Sequence, residues 1–184
     1  MSKIIKKIQN IKLMQTKFFH DNRGVFFEIF NQKKFSKINL KKKFVQNSIS
    51  ISKKNVVRGL HFTIKNPQAQ LVTILEGKIF DCLVDLRPKS KNFLKYYSFI
   101  LSKSKNNQLY MPPGYAHGFC VLSERAILHY AASKVYDPKN SSGLIWNDQT
   151  VKIKWPIKKP IISNRDKNFK NINELIKLNE LPQT

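Results

Sequence analysis

The chain is poor in cysteine, since its 184 residues include only Cys82 and Cys120. Two cysteines are too few for the disulfide framework of a small secreted domain, and both lie in apolar runs, which indicates buried, reduced thiols. The sequence also lacks an apolar run long enough to span a membrane, and lysines interrupt its N-terminus too often for a signal peptide. We therefore expect a soluble, cytoplasmic protein with no membrane partner.

Arginine and acidic residues are scarce as well. Only five arginines stand among the 34 basic side chains, and 11 acidic residues leave a net charge of +23. Readout of base edges and bidentate phosphate binding favour arginine, whereas here the lysines are spread over nearly the whole chain. The pattern argues against a specific nucleic-acid partner and predicts a solvated lysine surface. A polyanion-binding protein, whose affinity would fall steeply with salt, is the alternative left open.

The pattern of short apolar runs predicts an all-β fold. An apolar fraction of 41% with 13 phenylalanines excludes disorder, and the length fits a single domain over residues 1–184, with a core at about 18–166 and a helical tail at 167–184. Turns rich in Gly, Pro and Asn separate many strands, and one helix at 171–181 has Ile172, Leu175, Ile176 and Leu178 on its apolar face. This order is typical of a barrel or jelly roll. Apart from early strands within 3–19, the predicted strands cover residues 25–30, 44–51, 55–62, 70–75, 78–86, 93–101, 107–111, 116–122, 126–130 and 133–136.

The strand at 55–62 carries three residues that a buried strand rarely tolerates. Arg58, Gly59 and His61 interrupt an otherwise apolar run. Burying a charge or an imidazole is unfavourable without partners, and a glycine within a strand marks a bulge or a close backbone approach. These residues indicate either the wall of a pocket or core side chains satisfied by hydrogen bonds, and the strand alone does not separate the two.

His61 fits acid–base chemistry better than metal binding. Metal-binding β-barrels of the cupin type usually carry a His-x-His pair, but His61 is followed by Phe62 and Thr63. An imidazole can instead act as a general base when a carboxylate orients it, with a tyrosine of the same pocket as the matching acid. Such a pair on opposite faces of one carbon could invert a carbon next to a ketone without a metal or a cofactor.

Seven motifs make the chain similar to a known family, the dTDP-4-dehydrorhamnose 3,5-epimerases. The resemblance runs from about residue 18 to residue 166, and the order and spacing of its motifs are specific. It implies a cupin-like jelly-roll barrel with a short C-terminal helix, and an isomerase that needs no cofactor or metal. The motifs are DNRGVFFE (21–28), FVQN (44–47), VRGLHF (57–62), GKIFD (77–81), MPPGYAHGF (111–119), GLIWND (143–148) and ISNRD (162–166).

The resemblance also implies a site and a substrate. His61 matches the family's general base, Tyr130 its proton donor and Asp166 the carboxylate that pairs with the base. The substrate would be a dTDP-linked 4-keto sugar, and the protein a homodimer whose N-terminal strand crosses to the partner. The positions expected to bind substrate are Arg23, Glu28, Gln46, Asn47, Ser48, Arg58, Gln70, His117, Tyr136 and Arg165.

Several positions depart from the family pattern or allow a simpler role. Gln70 stands where the family has a lysine that stabilises the enolate oxygen, and Ser48 stands where it has an asparagine. These changes leave open a carbon-3-only epimerase, a different nucleotide, or a sugar-nucleotide-binding protein without activity. Asp166 could also merely cap a helix, and Arg23 and Glu28 could form a surface ion pair of little energetic value.

Overall fold

The computed structural model describes residues 3–184 as 13 β-strands, three short α-helices and one 3-10 helix. None of these helices is long and apolar enough to cross a membrane. The helices are α1 (Gln32–Lys37), α2 (Asn164–Lys167) and α3 (Ile172–Lys177), and the 3-10 helix covers Lys103–Lys105. The strands are β1 (Lys3–Ile8), β2 (Ile11–Gln15), β3 (Phe18–Asp21), β4 (Gly24–Phe27), β5 (Gln46–Lys53), β6 (Val57–Thr63), β7 (Gln70–Glu76), β8 (Lys78–Asp85), β9 (Tyr96–Ser102), β10 (Asn107–Met111), β11 (Tyr115–Val121), β12 (Arg125–Ala132) and β13 (Ser141–Gly143).

Two antiparallel sheets form the barrel. One has six strands in the order β1-β2-β10-β7-β12-β5, and the other has five in the order β13-β6-β11-β8-β9. Apolar side chains from both sheets pack into one buried cluster, with Val72 and Leu128 from the first sheet and Leu83 and Phe119 from the second. The hairpin β3-β4 forms a separate two-stranded sheet. The predicted all-β, cupin-like fold is confirmed.

The C-terminal helix packs on the outer face of the five-stranded sheet. Ile172 and Leu175 are buried there among side chains of β6, β8 and β11. The predicted helix exists, but it ends at Lys177 after six residues, and Ile172 and Leu175 are its two buried residues. The prediction from periodicity that Ile176 and Leu178 also lie on the apolar face is wrong, because both are exposed.

Residues 133–136, predicted as a strand, form bends and a loop instead. The ladder of β12 ends at Ala132, because its neighbours there are Gln46 and Gln70, the first residues of β5 and β7. Beyond Ala132, Ser133 still bonds to Ala69 before β7, through its backbone N–H and its hydroxyl, and the chain then leaves the sheet. It returns as β13, which the sequence did not predict and which pairs with β6.

β5 shows the predicted alternation of large and polar residues, but the large residues face solvent and the polar residues face the barrel interior. Ile49 and Ile51 have 61% and 58% of their surface exposed, whereas Ser52 is buried. β5 is an edge strand of the six-stranded sheet, and its outer face is open to solvent in a single chain. The polar residues of this strand consequently point to the inside of the barrel.

Gly59 marks a close approach between two backbones, as its place within a strand predicts. Its φ is +117°, and a Cβ atom there would lie 2.6 Å from both the Gly118 Cα and the His117 carbonyl oxygen. The register between β6 and β11 also shifts between His117 and Phe119. Only glycine fits this position, and the irregular pairing sets the direction of the side chains on both strands.

Gly59→Ala should destabilise the fold by roughly 2–6 kcal/mol, because backbone strain and overpacking each cost about 1–3 kcal/mol. Gly24→Ala is the matched control, since Gly24 has a similar φ of +126° but no atom within 4 Å of the added Cβ. It should lose only the strain part, about 1–3 kcal/mol. Urea denaturation of both variants measures the difference, and equal losses would contradict the close approach.

Candidate active site

A cavity of about 250 Å³ opens between the two sheets at one end of the barrel. Its wall is formed by strands β5, β7 and β12 of the six-stranded sheet, strands β6 and β11 of the other sheet, and the loops before β7 and after β12. It is lined by Gln46, Ser48, Ser50, Arg58, His61, Gln68, Gln70, His117, Phe119, Tyr130, Ala132 and Tyr136. The cavity thus brings together two of the residues predicted to be catalytic, His61 and Tyr130, and most of those predicted to bind substrate.

His61 and Asp166 form a hydrogen-bonded pair at the cavity wall. The His61 Nε2 atom lies 3.0 Å from Asp166 Oδ1, and the Gly59 backbone N–H donates to Asp166 Oδ2 at 2.9 Å. Burial alone would raise the pKa of the Asp166 carboxyl, but the hydrogen bonds from the His61 ring and the Gly59 backbone oppose this effect, and that pKa is lowered. The ionised carboxylate therefore holds the ring through Nε2. When Nε2 carries the ring proton, Nδ1 has the lone pair that can accept another.

Asp166 is not the N-cap of α2. The cap of α2 is Ser163, whose side chain accepts a hydrogen bond from the Asp166 backbone N–H. This arrangement leaves the Asp166 carboxylate for His61 and Gly59. The simpler alternative, in which Asp166 itself caps the helix, is wrong.

A second histidine–carboxylate pair faces the same cavity. His117 Nε2 lies 2.9 Å from Oδ2 of Asp81, which is fully buried, and His117 stands opposite His61 in the pairing of β11 with β6. Each imidazole is thus engaged by its own carboxylate, Asp166 or Asp81. Residues 3–184 contain no group of three or more His, Cys, Asp or Glu side chains that could hold a metal ion. The sequence marks Asp81 as a carboxylate in an otherwise apolar strand, but Asp81 was not among the residues predicted to form the site.

Tyr130 is the phenol of the cavity. Its hydroxyl lies 3.0 Å from Ser50 Oγ, and its ring centroid is 6.5 Å from that of His117. Burial raises the pKa of Tyr130 far above its usual range; the hydrogen bond with Ser50 and the charge of Arg58 oppose the rise, and the charge of Asp81 adds to it. The phenol is consequently protonated at neutral pH, the state that a proton donor needs.

The inward face of β5 supplies a polar wall. Its residues are Gln46, Ser48, Ser50 and Ser52. Ser52 Oγ accepts a hydrogen bond from Arg58 Nε at 3.0 Å, which anchors this exposed guanidinium at the cavity. Asn47 was predicted to bind substrate, but it lies on the opposite face of the strand, where its Oδ1 is 3.1 Å from His129 Nε2. It does not line the cavity.

The rim of the cavity is tied to the segment that carries Asp166. The Tyr136 backbone N–H donates to Gln46 Oε1 at 2.6 Å. Arg165 donates to the Tyr136 hydroxyl at 3.4 Å and to Ser141 Oγ at 2.9 Å. Arg165, predicted to bind substrate, therefore supports the rim from outside rather than lining the cavity.

Two of the predicted binding residues lie away from the cavity in a single chain. Arg23, in the turn of the β3-β4 hairpin, pairs with Asp21 at 2.6 Å, and Glu28 pairs with Lys34 at 2.9 Å. The surface ion pair between Arg23 and Glu28, considered as the simpler alternative, is therefore wrong. Neither side chain lines the cavity.

Four lining residues were not predicted from the sequence, namely Ser50, Gln68, Phe119 and Ala132. The period-2 geometry of a strand could have found Ser50, because Gln46 and Ser48 precede it on the same face. Gln68 lies outside a strand, so the period-2 rule does not apply to it. Phe119 and Ala132 are apolar, and an apolar side chain in a strand does not indicate a binding site.

A protein-family model described as dTDP-4-dehydrorhamnose 3,5-epimerase matches residues 6–174. The dTDP-4-dehydrorhamnose 3,5-epimerase of Escherichia coli (strain K12) is 39% identical over 181 residues, which cover 97% of this chain and 98% of that protein. The dTDP-4-dehydrorhamnose 3-epimerase of Streptomyces niveus is 35% identical over 150 residues, covering 80% of this chain and 72% of that one.

A solved structure is similar over the whole chain. The dTDP-6-deoxy-D-glucose-3,5-epimerase of Legionella pneumophila Philadelphia 1, in complex with dTDP-4-keto-L-rhamnose, superimposes with a TM-score of 0.93 at 34% identity. The match covers 100% of this chain and 99% of that one. The similarity therefore extends from the sequence to the complete fold.

Proposed function

Because the chain belongs to the family of dTDP-4-dehydrorhamnose 3,5-epimerases, we propose that it inverts carbon 5, carbon 3 or both carbons of a dTDP-linked 4-keto-6-deoxyhexose in deoxysugar biosynthesis. The observation that carries the proposal is that His61, held by Asp166, and Tyr130 line the same cavity. The sugar nucleotide in the Legionella pneumophila structure supports the substrate class.

The proposed reaction begins at a carbon next to the ketone. His61 takes the proton of this carbon, and the electron pair of the broken C–H bond moves into the enolate double bond while negative charge develops on the ketone oxygen. Tyr130 then gives its hydroxyl proton to the opposite face of the carbon, and the ketone re-forms with inverted configuration. Water restores the proton to the phenolate and removes the proton from His61.

The cavity is least well equipped to stabilise the negative charge that develops on the enolate oxygen. Gln70 lines the cavity where the family has a lysine, and its amide can donate a hydrogen bond but carries no charge. Losing one donor of this kind can lower turnover by roughly 10²–10³. A carbon-3-only epimerase is therefore the second candidate, and the Streptomyces niveus 3-epimerase among the relatives favours it.

We also propose a homodimer in which the β3-β4 hairpin of one copy reaches the cavity of the other. The hairpin exposes Phe26 with 71% of its surface, and β5 exposes Ile49 and Ile51 on its outer face. Exposed apolar patches of this kind mark protein contacts. A second copy could also bring to the cavity the predicted binding residues Arg23 and Glu28, which do not reach it within one chain.

The cytoplasmic location is proposed from the state of the thiols. Cys82 and Cys120 are both free and buried. Burial raises the pKa of Cys82 well above its usual range and that of Cys120 to about 11, so both thiols stay protonated and poorly reactive. Free buried cysteines are typical of a reducing compartment.

The absence of a specific nucleic-acid partner stays a prediction from the charge pattern.

In deuterated water, the chain should incorporate deuterium into dTDP-4-keto-6-deoxyglucose at carbon 5, carbon 3 or both, as followed by NMR. His61→Asn should lower this exchange by roughly 10²–10⁴, because the base is lost. Exchange at carbon 3 alone would select the second candidate. Tight binding of dTDP with no exchange by the unaltered chain would instead indicate a sugar-nucleotide-binding protein without activity, and would overturn the proposed reaction.

Gln70→Lys should raise the turnover number by roughly 10- to 10³-fold, because a cation stabilises the enolate oxygen more than an amide does. Gln68→Lys is the matched control, as it adds the same charge to the cavity wall outside the position that the family uses. Steady-state rates at saturating substrate measure the effect. A rate that is unchanged in Gln70→Lys, or raised equally in both variants, would contradict the proposed place of the oxygen.

Ile51→Lys should convert the dimer into monomers at micromolar concentration, since a two-fold interface receives the added charge twice. Ile100→Lys, on β9, is the matched control, because Ile100 is also an exposed strand isoleucine but lies on the other sheet. Sedimentation velocity at physiological salt distinguishes the two. A monomeric unaltered chain, or a Ile51→Lys variant that stays dimeric, would count against this interface.

A further inference from the structure

Ser50 is the lining residue with the most direct link to the proposed proton donor. Its Oγ atom lies 3.0 Å from the Tyr130 hydroxyl, and either oxygen can be the donor in this bond. Within residues 3–184, it is the one hydrogen bond that the phenol makes. Ser50 also lines the cavity itself, so its hydroxyl and that of Tyr130 meet the same space.

The pairing of the strands explains this contact. In the ladder between β5 and β12, Tyr130 stands opposite Ser48, and Ser50 stands opposite Leu128. Ser50 is thus the diagonal neighbour of Tyr130 on the inward face, within reach of a long aromatic side chain. Because both residues belong to hydrogen-bonded strands of one sheet, the position of the phenol oxygen is fixed by the fold rather than by a flexible loop.

Other polar groups surround the phenol without binding its hydroxyl. Arg58 from β6, His117 from β11 and Asp81 from β8 lie near the phenol, and His61 lines the same cavity; among residues 3–184 none of them hydrogen-bonds to this oxygen. Arg58 is anchored to Ser52, and the two histidines to their carboxylates. After Tyr130 gives up its proton, Ser50 is therefore the side chain placed to donate to the phenolate.

We propose that Ser50 is a positioning residue that aims the Tyr130 hydroxyl at the substrate carbon and donates a hydrogen bond to the phenolate formed by proton transfer. The inference rests on the proposed epimerase function. In this step the Tyr130 O–H bond breaks, a C–H bond forms at the inverted carbon, and the electron pair comes from the enolate double bond. The hydroxyl of Ser50 keeps its proton throughout and only rotates to point it at the phenolate oxygen.

The test separates proton abstraction by His61 from proton return by Tyr130. In deuterated water, recovered substrate that carries deuterium reports abstraction and return on the face of His61, whereas inverted product reports return by Tyr130. Ser50→Ala should lower the rate of product formation by roughly 10- to 100-fold, the worth of one hydrogen bond to a charged group. It should leave abstraction in place, so the ratio of exchanged substrate to product rises by the same factor.

Three further variants serve as controls for Ser50→Ala. Ser50→Thr keeps the hydroxyl and should restore the ratio toward that of the unaltered chain, while Tyr130→Phe should give the largest ratio, because it removes the donor. Ser98→Ala is the matched control, since Ser98 is an exposed strand serine that does not line the cavity. Affinity for dTDP and circular dichroism check that each variant is folded.

Two results would overturn the role of Ser50. In one, exchange and product formation fall together in Ser50→Ala, which is what general damage to the site would cause. In the other, the ratio stays unchanged in Ser50→Ala. An unaltered chain that gives neither exchange nor product would be a different failure, because it removes the proposed function and with it the reaction that Ser50 serves.

Discussion

The buried carboxylate of Asp166 is the contact on which the site depends. It is 4% exposed, and it accepts hydrogen bonds from the Gly59 backbone and from the His61 ring. A buried charge is strongly unfavourable unless its partners satisfy it, so this carboxylate fixes the position of α2 against β6. The bridge between Val56 and Ile161 brings the same segment alongside the strand. The chain beyond the last strand is thus part of the site, because it supplies the group that orients the imidazole.

The environments of His61 and Tyr130 suit opposite roles in proton transfer. Tyr130 is partly buried in the cavity wall, and desolvation raises the pKa of its hydroxyl, so the phenol keeps its proton at neutral pH. The His61 ring is about half-exposed and is held by a carboxylate whose pKa is lowered. Water can reach such a ring and exchange its proton. A pair of titratable groups in contrasting environments is how one cavity can supply both an acid and a base.

The sequence predicted those features that residue type alone determines. Gly59 and His61 stood out because a strand tolerates neither without a specific reason, and the structure gives that reason as a backbone contact and a carboxylate. What failed depends on partners far away in the chain. Residues 133–136 look like a strand, but the ladder has already ended at Ala132. Similarly, the sequence contains Asp81 and His117 but does not show that they meet at 2.9 Å.

The burial pattern of β5 illustrates a constraint that links the cavity to the outer surface of the sheet. Side chains alternate along a strand, so a strand that turns its polar residues into a cavity must turn the others outward. In β5, Ser50 and Ser52 face inward, where they bind Tyr130 and Arg58, and Ile49 and Ile51 face solvent. Period 2 alone does not say which face is covered, because it depends on what packs on each side. A strand of this composition therefore fits a fold with a polar interior cavity, and it leaves Ile49 and Ile51 exposed on the outer face of the sheet.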